Sequence, residues 1–299
     1  MSAKTENMSD LESFANALEQ SPDYKVLRRV PDLKISQKPM VKGAKQALIL
    51  DAETTGLDLV EDEVIELGFL VVEYVNGEII SIRDFGNELR QPEKPIPPEV
   101  QKITGITPEM VRGKEIDRAR ISALISSVSI VIAHNAAFDR PICERLFPEL
   151  ESKPWACSLR EISWSDFGFE SAKLRYLLLE SGFFFEAHRA LDDCAALYNL
   201  LKKKADQGRT FFEILMESAR LKSHSISVRS PYGLRQNMRN MGYRWSNYKA
   251  RAGGEWRKTV ATTQLEHELD RLRNLSSDQV SWSIVEMDAF SRYKIEKTI

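Results

Sequence analysis

This 299-residue chain has no long apolar run. None of its uninterrupted apolar stretches approaches the roughly 20 residues that a membrane-spanning helix needs. The first residues, MSAKTENMSD, also lack the basic and then apolar order of a secretory signal. The sequence therefore predicts no membrane association and, by default, a cytoplasmic location.

Cysteine is scarce as well. The three cysteines, Cys143, Cys157 and Cys194, are odd in number and far apart in the sequence. This spacing matches neither a disulfide framework nor a paired zinc site. Free cysteine is among the residue types that are most often buried. We therefore predict three buried thiols without a redox or metal-binding role.

The formal net charge is only −2, but the charges are unevenly distributed along the chain. Residues 46–205 carry 18 basic and 27 acidic side chains, whereas residues 206–299 carry 16 basic and 11 acidic ones. Within 218–258 there are ten Lys and Arg residues and a single acid, Glu255. This concentration of positive charge predicts a second functional unit that meets a polyanion.

Hydrophobic periodicity predicts a mixed α/β domain. An apolar strand at 47–53 is followed by a long strand at 64–74, and Asn76-Gly77 predicts a hairpin turn into a third strand at 78–89. Helical periods then alternate with short apolar strands, beginning with SIVIAHN. Three antiparallel strands followed by alternating helices and strands are typical of one mixed α/β fold.

Two further segments flank this domain. Residues 1–45 combine a short helical pattern with an extended lead-in. Residues 206–299 show helix and strand patterns of a small α+β module with an excess of basic side chains. The chain is thus predicted to divide into an N-terminal segment, a domain at 46–205 and a basic C-terminal module that binds a nucleic acid or a partner.

Four carboxylates occupy positions that a mixed sheet can bring together. Asp51 and Glu53 end the first strand on the same face, because side chains alternate along a strand. Asp139 follows the fourth strand at the start of a helix, and Asp193 lies on a late helix. Carboxylate oxygens suit hard cations, and two such cations suit in-line displacement at phosphorus. The pattern predicts two Mg²⁺ or Mn²⁺ ions.

His188 supplies a candidate general base. A histidine near neutral pH can take the proton from an attacking water molecule. His188 precedes Asp193 by five residues, which is about 500° of helical rotation, so the two side chains cannot share one helix face. We predict that His188 lies on a loop that reaches over the metal ions.

These residues carry a family resemblance. The segments DAETTG (51–56), HNAAFD (134–139) and HRALDD (188–193) resemble the three motifs of the DEDDh 3′→5′ exonucleases. The resemblance is greatest to epsilon-type proofreading subunits of bacterial DNA polymerase III and their stand-alone relatives. It covers about residues 46–205 and implies a ribonuclease H-like fold, with a mixed five-stranded sheet flanked by helices.

The resemblance also implies roles for the five residues. Asp51, Glu53 and Asp193 would be direct metal ligands, and Asp139 would be a ligand of the second metal through water. His188 would be the general base that activates the attacking water.

The same resemblance implies where a substrate lies. Thr54, Thr55 and Gly56 match the segment that receives the 3′-terminal nucleotide. The segment ITGIT (103–107) resembles the loop that packs against the terminal base, which makes Ile103 a candidate contact, although the histidine that is commoner in this loop is Thr104 here.

Two residues of the second motif complete the predicted substrate-binding set. Asn135 and Phe138 lie between the fourth strand and Asp139, close to the expected site. For Asn135, and for its neighbour His134, a role in fixing the backbone around the strand end is favoured over contact with the substrate.

Aromatic and basic residues alternate in the C-terminal module. Tyr243 and two tryptophans are interleaved with arginines, a combination that suits base stacking and phosphate contact with single strands. Aromatic residues are equally good core residues in a small module, and charged runs are usually solvated. The predicted nucleic-acid contacts are Arg244, Trp245, Trp256 and Arg257.

The leading functional hypothesis is a metal-dependent 3′→5′ exonuclease that acts on single-stranded DNA ends and releases nucleoside 5′-monophosphates. A second hypothesis is an exoribonuclease of the same plan, because discrimination of the sugar depends on contacts to the 2′-OH that no motif reports. A third is a non-catalytic scaffold associated with a polymerase or with repair. The sequence leaves open whether the chain works alone, with a polymerase or repair partner, or as a homodimer.

Overall fold

A mixed five-stranded sheet forms the centre of the protein. The computed structural model describes residues 2–205, 208–246, 254–275 and 280–294. The sheet has the order β4-β3-β2-β5-β6. Strands β2, β3 and β4 are antiparallel neighbours, while β5 and β6 run parallel to β2 and to each other. The strands are β2 (Lys45–Thr54), β3 (Val64–Val75), β4 (Glu78–Leu89), β5 (Ile130–Ala133) and β6 (Trp155–Cys157).

The mixed five-stranded sheet flanked by helices that the sequence predicts is confirmed. Asn76 and Gly77 form the hairpin turn between β3 and β4, both with positive φ angles of 49° and 81°. Alternate residues of β2 and β3 enter two separate cores, with Ile49 in one and Leu50 in the other. The sheet is therefore covered on both faces, which explains why β3 reads as a continuous apolar run.

Helices cover both faces of this sheet. Helix α8 crosses one face and packs against β2 and β3, while α5 lies against the other core. Further helical segments connect the strands. The helices are α2 (Pro98–Thr104), α3 (Pro108–Val111), α4 (Arg118–Ser127), α5 (Ala136–Leu146), α6 (Ser158–Glu161), α7 (Leu174–Glu180), α8 (Ala190–Lys202) and α9 (Phe211–Arg220).

Helix α9 belongs to the core of the five-stranded sheet, although it follows residue 205. Phe211, Phe212 and Leu215 are buried in the same apolar cluster as β2 and β3. The ring of Phe212 meets that of Tyr74 on β3 edge-on, with 5.2 Å between centroids. Because α9 packs into this core, the domain predicted at 46–205 extends to the end of α9 at Arg220.

The N-terminal segment lies along the same domain. It contains helix α1 (Ser2–Glu19) and strand β1 (Arg28–Arg29), which pairs in parallel with β7 (Phe183–Phe184). Val30 N–H donates to the carbonyl of Phe184, at 2.9 Å between N and O. Because β7 leads into the segment of the third motif, the N-terminal segment supports the chain just before that motif.

A second, four-stranded antiparallel sheet forms the C-terminal module, with the order β11-β8-β10-β9. The chain order is strand, helix, strand, strand, helix, strand, which is a split βαβ arrangement. Both helices pack on one face of the sheet around Ile226, Val228 and Met238. The elements are β8 (Ser223–Arg229), α10 (Arg235–Asn240), β9 (Arg244–Ser246), β10 (Glu255–Ala261), α11 (Leu265–Arg273) and β11 (Ser281–Met287).

After β11 the chain returns to the five-stranded sheet. The guanidinium of Arg140 on α5 is completely buried and donates to the carbonyls of Ala289, Phe290 and Arg292, at 3.3, 2.8 and 2.8 Å. The N–H of Trp155 on β6 also donates to the Ala289 carbonyl, at 2.7 Å. We call residues 288–294 the closing segment.

All three cysteines are buried free thiols, as predicted. In the described part of the chain, no helix has both the length and the apolar character that a bilayer crossing requires.

Candidate active site

Three of the four predicted carboxylates meet at the end of β2. Asp51 and Glu53 alternate with Ala52 along the strand and point to the same side. Asp193 joins them from the first turn of α8. One carboxylate oxygen from each residue lies within 4.8 Å of one oxygen from each of the other two. The site thus combines the strand and helix positions that the first and third motifs provide.

Glycine at position 68 allows α8 to approach this closely. Gly68 on β3 is paired with Asp51. A Cβ atom on Gly68 would lie 2.3 Å from the carbonyl carbon of Ala190 and 2.5 Å from the nitrogen of Leu191. Both are backbone atoms of α8, which a side-chain rotation cannot move away. The absence of a side chain at Gly68 therefore sets the distance between Asp193 and Asp51.

Burial and mutual repulsion raise the pKa values of these three carboxyl groups. Desolvation is the main cause for each of them. Repulsion from neighbouring acids, including buried Glu66, adds to it. The pKa is raised to about 7 for Glu53 and for Asp193, and that of Asp51 lies well above its ordinary value. Such a set of oxygens favours either protons or a cation.

Asp139 lies beside the three carboxylates without joining their group. It is buried in the first turn of α5 and accepts a hydrogen bond from the backbone N–H of Ala52. Desolvation chiefly raises the pKa of Asp139 to about 8, and repulsion from Glu53 and Asp193 contributes. Its charge therefore acts on the site although its oxygens lie farther from the others.

His188 is placed on a loop immediately before α8, as predicted. Its side chain is exposed, and its backbone has a positive φ of 72°, which is uncommon for residues other than glycine. The backbone N–H of His188 donates to Oδ2 of Asp193, at 2.9 Å. This bond ties the histidine to one carboxylate of the cluster. Asp192, by contrast, is exposed and lines a neighbouring cleft with Arg29 and Glu186.

A buried ion pair that the sequence analysis did not identify fixes this loop. Glu66 on β3 is fully buried and accepts hydrogen bonds from Nη2 of Arg189 at 2.7 Å and from the N–H of Ala190 at 2.9 Å. Asn87 donates to the same carboxylate at 2.6 Å. The signal in the sequence is an acid inside the apolar run VIELGFLVV, since a buried charge needs a partner.

The threonines of the first motif use their hydroxyl groups within the protein. Thr54 Oγ1 donates to the carbonyl of Gly56 at 2.5 Å, and Thr55 Oγ1 donates to Asp62 at 2.8 Å. Both side chains are buried. A Cβ on Gly56 would lie 2.4 Å from Asp62. These contacts shape the loop after β2, so the loop can offer a nucleotide its backbone rather than the two hydroxyl groups.

The remaining predicted substrate contacts differ in exposure. Ile103 is 58% exposed near the end of α2, whereas Thr104 is buried and bonds to the Val100 carbonyl. Asn135 is exposed at the N-terminus of α5, and Phe138 packs partly against the core of the sheet. Ile103 and Asn135 are therefore the accessible members of this set.

His134 has a structural role in this arrangement. Its Nε2 faces the carbonyl of Ala172 at 2.9 Å, and its Nδ1 faces the hydroxyl of Ser158 at 2.8 Å. Because a carbonyl can only accept, Nε2 carries the proton. Desolvation lowers the pKa of His134 to about 4. His134 is thus a neutral residue that joins the end of β5 to two other segments, which agrees with the backbone-fixing role favoured from the sequence.

The four predicted nucleic-acid contacts of the C-terminal module lie on two different faces of its sheet. Trp256 is 5% exposed and packs in the core beneath the helices, and Trp245 contacts it edge-on at 5.3 Å. Arg244 and Arg257 alternate with these tryptophans and are paired on the opposite face. Trp256 therefore fits the alternative of a core residue, while Trp245 is half exposed at the edge.

The chemistry of the donor set fits a divalent cation. Three carboxylate oxygens close together are hard ligands of the type that Mg²⁺ and Mn²⁺ take. No thiol belongs to the group, although Cys194 directly follows Asp193, because the Cys194 thiol points to the carbonyl of Ile49. Neutralisation of the repulsion between the carboxylates would also favour binding of a cation. The three carboxylates thus fit the divalent cations that the sequence predicts.

Known proteins resemble this chain over the same region. A segment that matches about half of this chain, 152 residues at 31% identity, occurs in a PolC-type DNA polymerase III of Thermotoga petrophila, where it makes up 11% of the length. The epsilon subunit of DNA polymerase III of Treponema pallidum is 28% identical over 163 residues, which are 50% of this chain and 72% of that one. The chain therefore spans about a tenth of the PolC-type relative.

Solved structures of exonucleases are also similar. Exonuclease X in complex with 5′-overhanging duplex DNA matches 56% of this chain and 99% of its own, with 24% identity and a TM-score of 0.40. A structure of exonuclease I matches 83% of this chain and 65% of its own, with 18% identity and a TM-score of 0.47. The model of the exonuclease family (RNase_T) matches residues 48–201, just over half of the chain and all of the carboxylate site. The chain belongs to the exonuclease family.

Proposed function

We propose that the protein is a metal-dependent 3′→5′ exonuclease of the DEDDh type that removes nucleotides from single-stranded DNA. Members of the family use divalent metal ions. The observation that carries the proposal is the meeting of Asp51, Glu53 and Asp193, with His188 bonded through its backbone to Asp193. A histidine that can accept a proton, beside three clustered carboxylates that can bind metal ions, suits metal-dependent hydrolysis of a phosphodiester.

The carboxylates would hold two divalent cations. Asp51, Glu53 and Asp193 would bind them directly, and Asp139, which is set back from the group, suits the water-mediated role that the family resemblance implies. Cations bound there lower the pKa of a water molecule and neutralise charge on the phosphate. The protein contributes the fixed separation of its carboxylates, which Gly68 and α8 set.

His188 acts as the general base in the proposed reaction. The attacking water loses a proton to the exposed imidazole as its oxygen forms a bond to phosphorus. The bond from phosphorus to the 3′ oxygen of the penultimate nucleotide breaks, and that oxygen gains a proton from solvent. The products are a nucleoside 5′-monophosphate and a strand that is shorter by one nucleotide.

Exposed groups near the site define the proposed substrate contacts. The backbone of Thr54, Thr55 and Gly56 would face the terminal nucleotide, with Ile103 against its base and Asn135 and Phe138 near the phosphate. The fold does not select the sugar, so RNA remains the second substrate class. Similarity to polymerase III subunits supports, as a further proposal, a DNA polymerase partner in the cytoplasm.

The test is turnover of oligonucleotides labelled at the 5′ end, with matched DNA and RNA sequences in Mg²⁺ and in EDTA. We expect a ladder of shortened DNA products in Mg²⁺ only, and no products from a DNA whose 3′ end is blocked. Asp51→Asn should abolish the ladder, while Asp192→Asn, a neighbouring acid outside the cluster, should keep it. Full turnover by Asp51→Asn, or equal turnover in EDTA, would reject the proposal. Faster turnover of RNA would select the exoribonuclease alternative.

A further inference from the structure

One face of the sheet in the C-terminal module is uncovered. Both helices pack on the other face, around Ile226 and Val228 of β8. Alternate residues of the strands point away from the helices. They include four small polar residues, Ser225, Ser227, Thr259 and Ser283, and two apolar residues of β11, Val285 and Met287. Thr259, Ser283 and Val285 are exposed, so no described segment covers this part of the face, while Ser225 and Ser227 at its centre are half-buried. We call it the open face.

Arginines cluster at one end of the open face. Arg244 on β9 is paired directly with Arg257 on β10, and Arg257 donates to Glu255 at 2.8 Å. Arg229 ends β8, and the register of β8 and β10 places it beside Glu255. Like charges on directly opposite residues destabilise a sheet. Three arginines against one glutamate leave a positive surface that an anion would stabilise.

The chemistry of the open face favours phosphates over bases. Sheets with this connectivity that bind single strands use aromatic side chains on the open face to stack bases. Here, among the described residues, the open face carries serine, threonine, Val285 and Met287 but no aromatic side chain, and Trp256 points into the core instead. Hydroxyl and guanidinium groups donate hydrogen bonds to phosphate oxygens. The face can therefore hold a nucleic-acid backbone without reading its sequence.

The shape of the open face suits a single strand. Four strands give a width of about 14 Å, and seven residues give a length of about 23 Å. An extended, flexible strand can lie along such a flat surface, whereas a duplex is convex and meets it along a narrow line. Positive charge, hydroxyl donors and flatness together identify one occupant.

We propose that the open face binds the phosphate backbone of single-stranded DNA on the 5′ side of the end that enters the catalytic site. The choice of DNA rests on the proposed exonuclease function. Binding by the face itself needs neither metal nor turnover, so it can be measured while the catalytic site is inactive.

The test compares two double variants with the same change in charge. Arg229→Gln/Arg244→Gln removes two arginines of the open face, and Arg235→Gln/Arg239→Gln removes two exposed arginines of α10 on the covered side. Affinity for fluorescent dT30 is measured in EDTA between 50 and 200 mM salt. Each phosphate contact contributes a slope of about −0.7, so loss of two contacts should reduce the fall in affinity over this range by about sevenfold.

We expect weaker dT30 binding and a shallower salt slope for the open-face variant alone. Equal affinity and slope for wild type and both variants would overturn the proposal, as would binding of rU30 but not dT30. Turnover of a short oligonucleotide at saturating concentration should be unchanged in the α10 variant. Absence of turnover in the wild type would reject the proposed function, whereas the EDTA measurement would still decide the role of the open face.

Discussion

Ionisation of Asp51, Glu53 and Asp193 opposes folding when no cation is bound. The pKa is about 7 for Glu53 and Asp193 in the folded protein, compared with about 4 for carboxyl groups in an unfolded chain. The folded state therefore holds more protons at these groups. Their contribution to stability is greatest below about pH 4 and is lost as the pH rises through 7.

This repulsion leads to a prediction about the melting temperature. In EDTA the contribution of these groups should lower the melting temperature progressively between pH 5 and pH 8, and Mg²⁺ should restore it most at pH 8. Asp51→Asn removes one charge from the cluster and should flatten the pH dependence in EDTA. Thermal melts of wild type and variant in parallel provide the measurement. A wild-type melting temperature that rises relative to that of Asp51→Asn as the pH increases in EDTA would contradict the prediction.

The backbone of His188 determines which variant tests its side chain. Its φ of 72° is tolerated by asparagine better than by alanine. We expect His188→Asn to remain folded and to keep the N–H bond to Asp193, because that bond comes from the backbone. Removal of a general base should reduce the rate by roughly 10² to 10⁴.

Single-turnover rates at saturating Mg²⁺ measure this effect, and the increase in melting temperature on addition of Mg²⁺ checks that metal binding is retained. If His188→Asn retained the wild-type rate, His188 would not be the base.

At the scale of secondary structure, Gly68 controls the position of a whole helix. Gly68→Ala places a methyl group against the backbone of Ala190 and Leu191, so α8 must move away from β3. Overpacking of this kind costs about 1–3 kcal/mol. Because α8 carries Asp193, we expect the loss of turnover to exceed what partial unfolding explains.

Denaturant titration and turnover of the same samples separate these two effects. Gly233→Ala is the matched control, since a Cβ at that position meets open space. Normal turnover in a folded Gly68→Ala protein would show that the contact between helix and strand does not position the site.

The pair of Glu66 and Arg189 has a similar role for the loop before α8. Arg189→Gln leaves the buried carboxylate of Glu66 with only Asn87 and a backbone N–H as hydrogen-bond donors. A poorly satisfied buried group costs about 1–3 kcal/mol or more. In the double variant Glu66→Gln/Arg189→Gln the buried charge is gone, so part of the stability should return. Free energies of unfolding of the three variants measure the coupling, and strictly additive losses would argue against it.

The strands and the order of the acidic residues could be predicted from the sequence, because they depend on local periodicity and on the alternation of side chains along β2. The sequence was not sufficient for the partner of Glu66, which lies 123 positions away at Arg189. Nor could the alternation of Trp256 and Arg257 show which face the helices cover. Both features depend on the packing of distant segments, which a local pattern does not specify.

At the scale of the whole molecule, the C-terminal module is attached to the exonuclease fold at two points. Helix α9 packs into the sheet domain before the module begins, and the closing segment returns to Arg140 after it ends. Ser223, the first residue of β8, is paired with Met287, the last residue of β11. The chain therefore enters and leaves the module at neighbouring positions.

Excision of the C-terminal module and truncation of the chain before it should consequently differ in their effects on stability. Replacement of residues 223–287 by a short glycine linker keeps both α9 and the closing segment, so we expect a folded protein that still shortens small oligonucleotides. Truncation after residue 221 removes three carbonyl acceptors of the buried Arg140 guanidinium and should destabilise the fold. Thermal melts and turnover of the two proteins give the comparison. Equal stability of the two would show that the closing segment is dispensable.

The adjacent ends of the module also bear on how such a protein can arise. A sequence whose first and last residues are neighbours can be placed within a surface loop of another domain without separating the strands on either side of that loop. A single insertion event between α9 and the closing segment would then add a nucleic-acid-binding unit to a nuclease that already folds. Its precise loss would be equally simple, so related chains with and without the module are expected to share the same continuous exonuclease core.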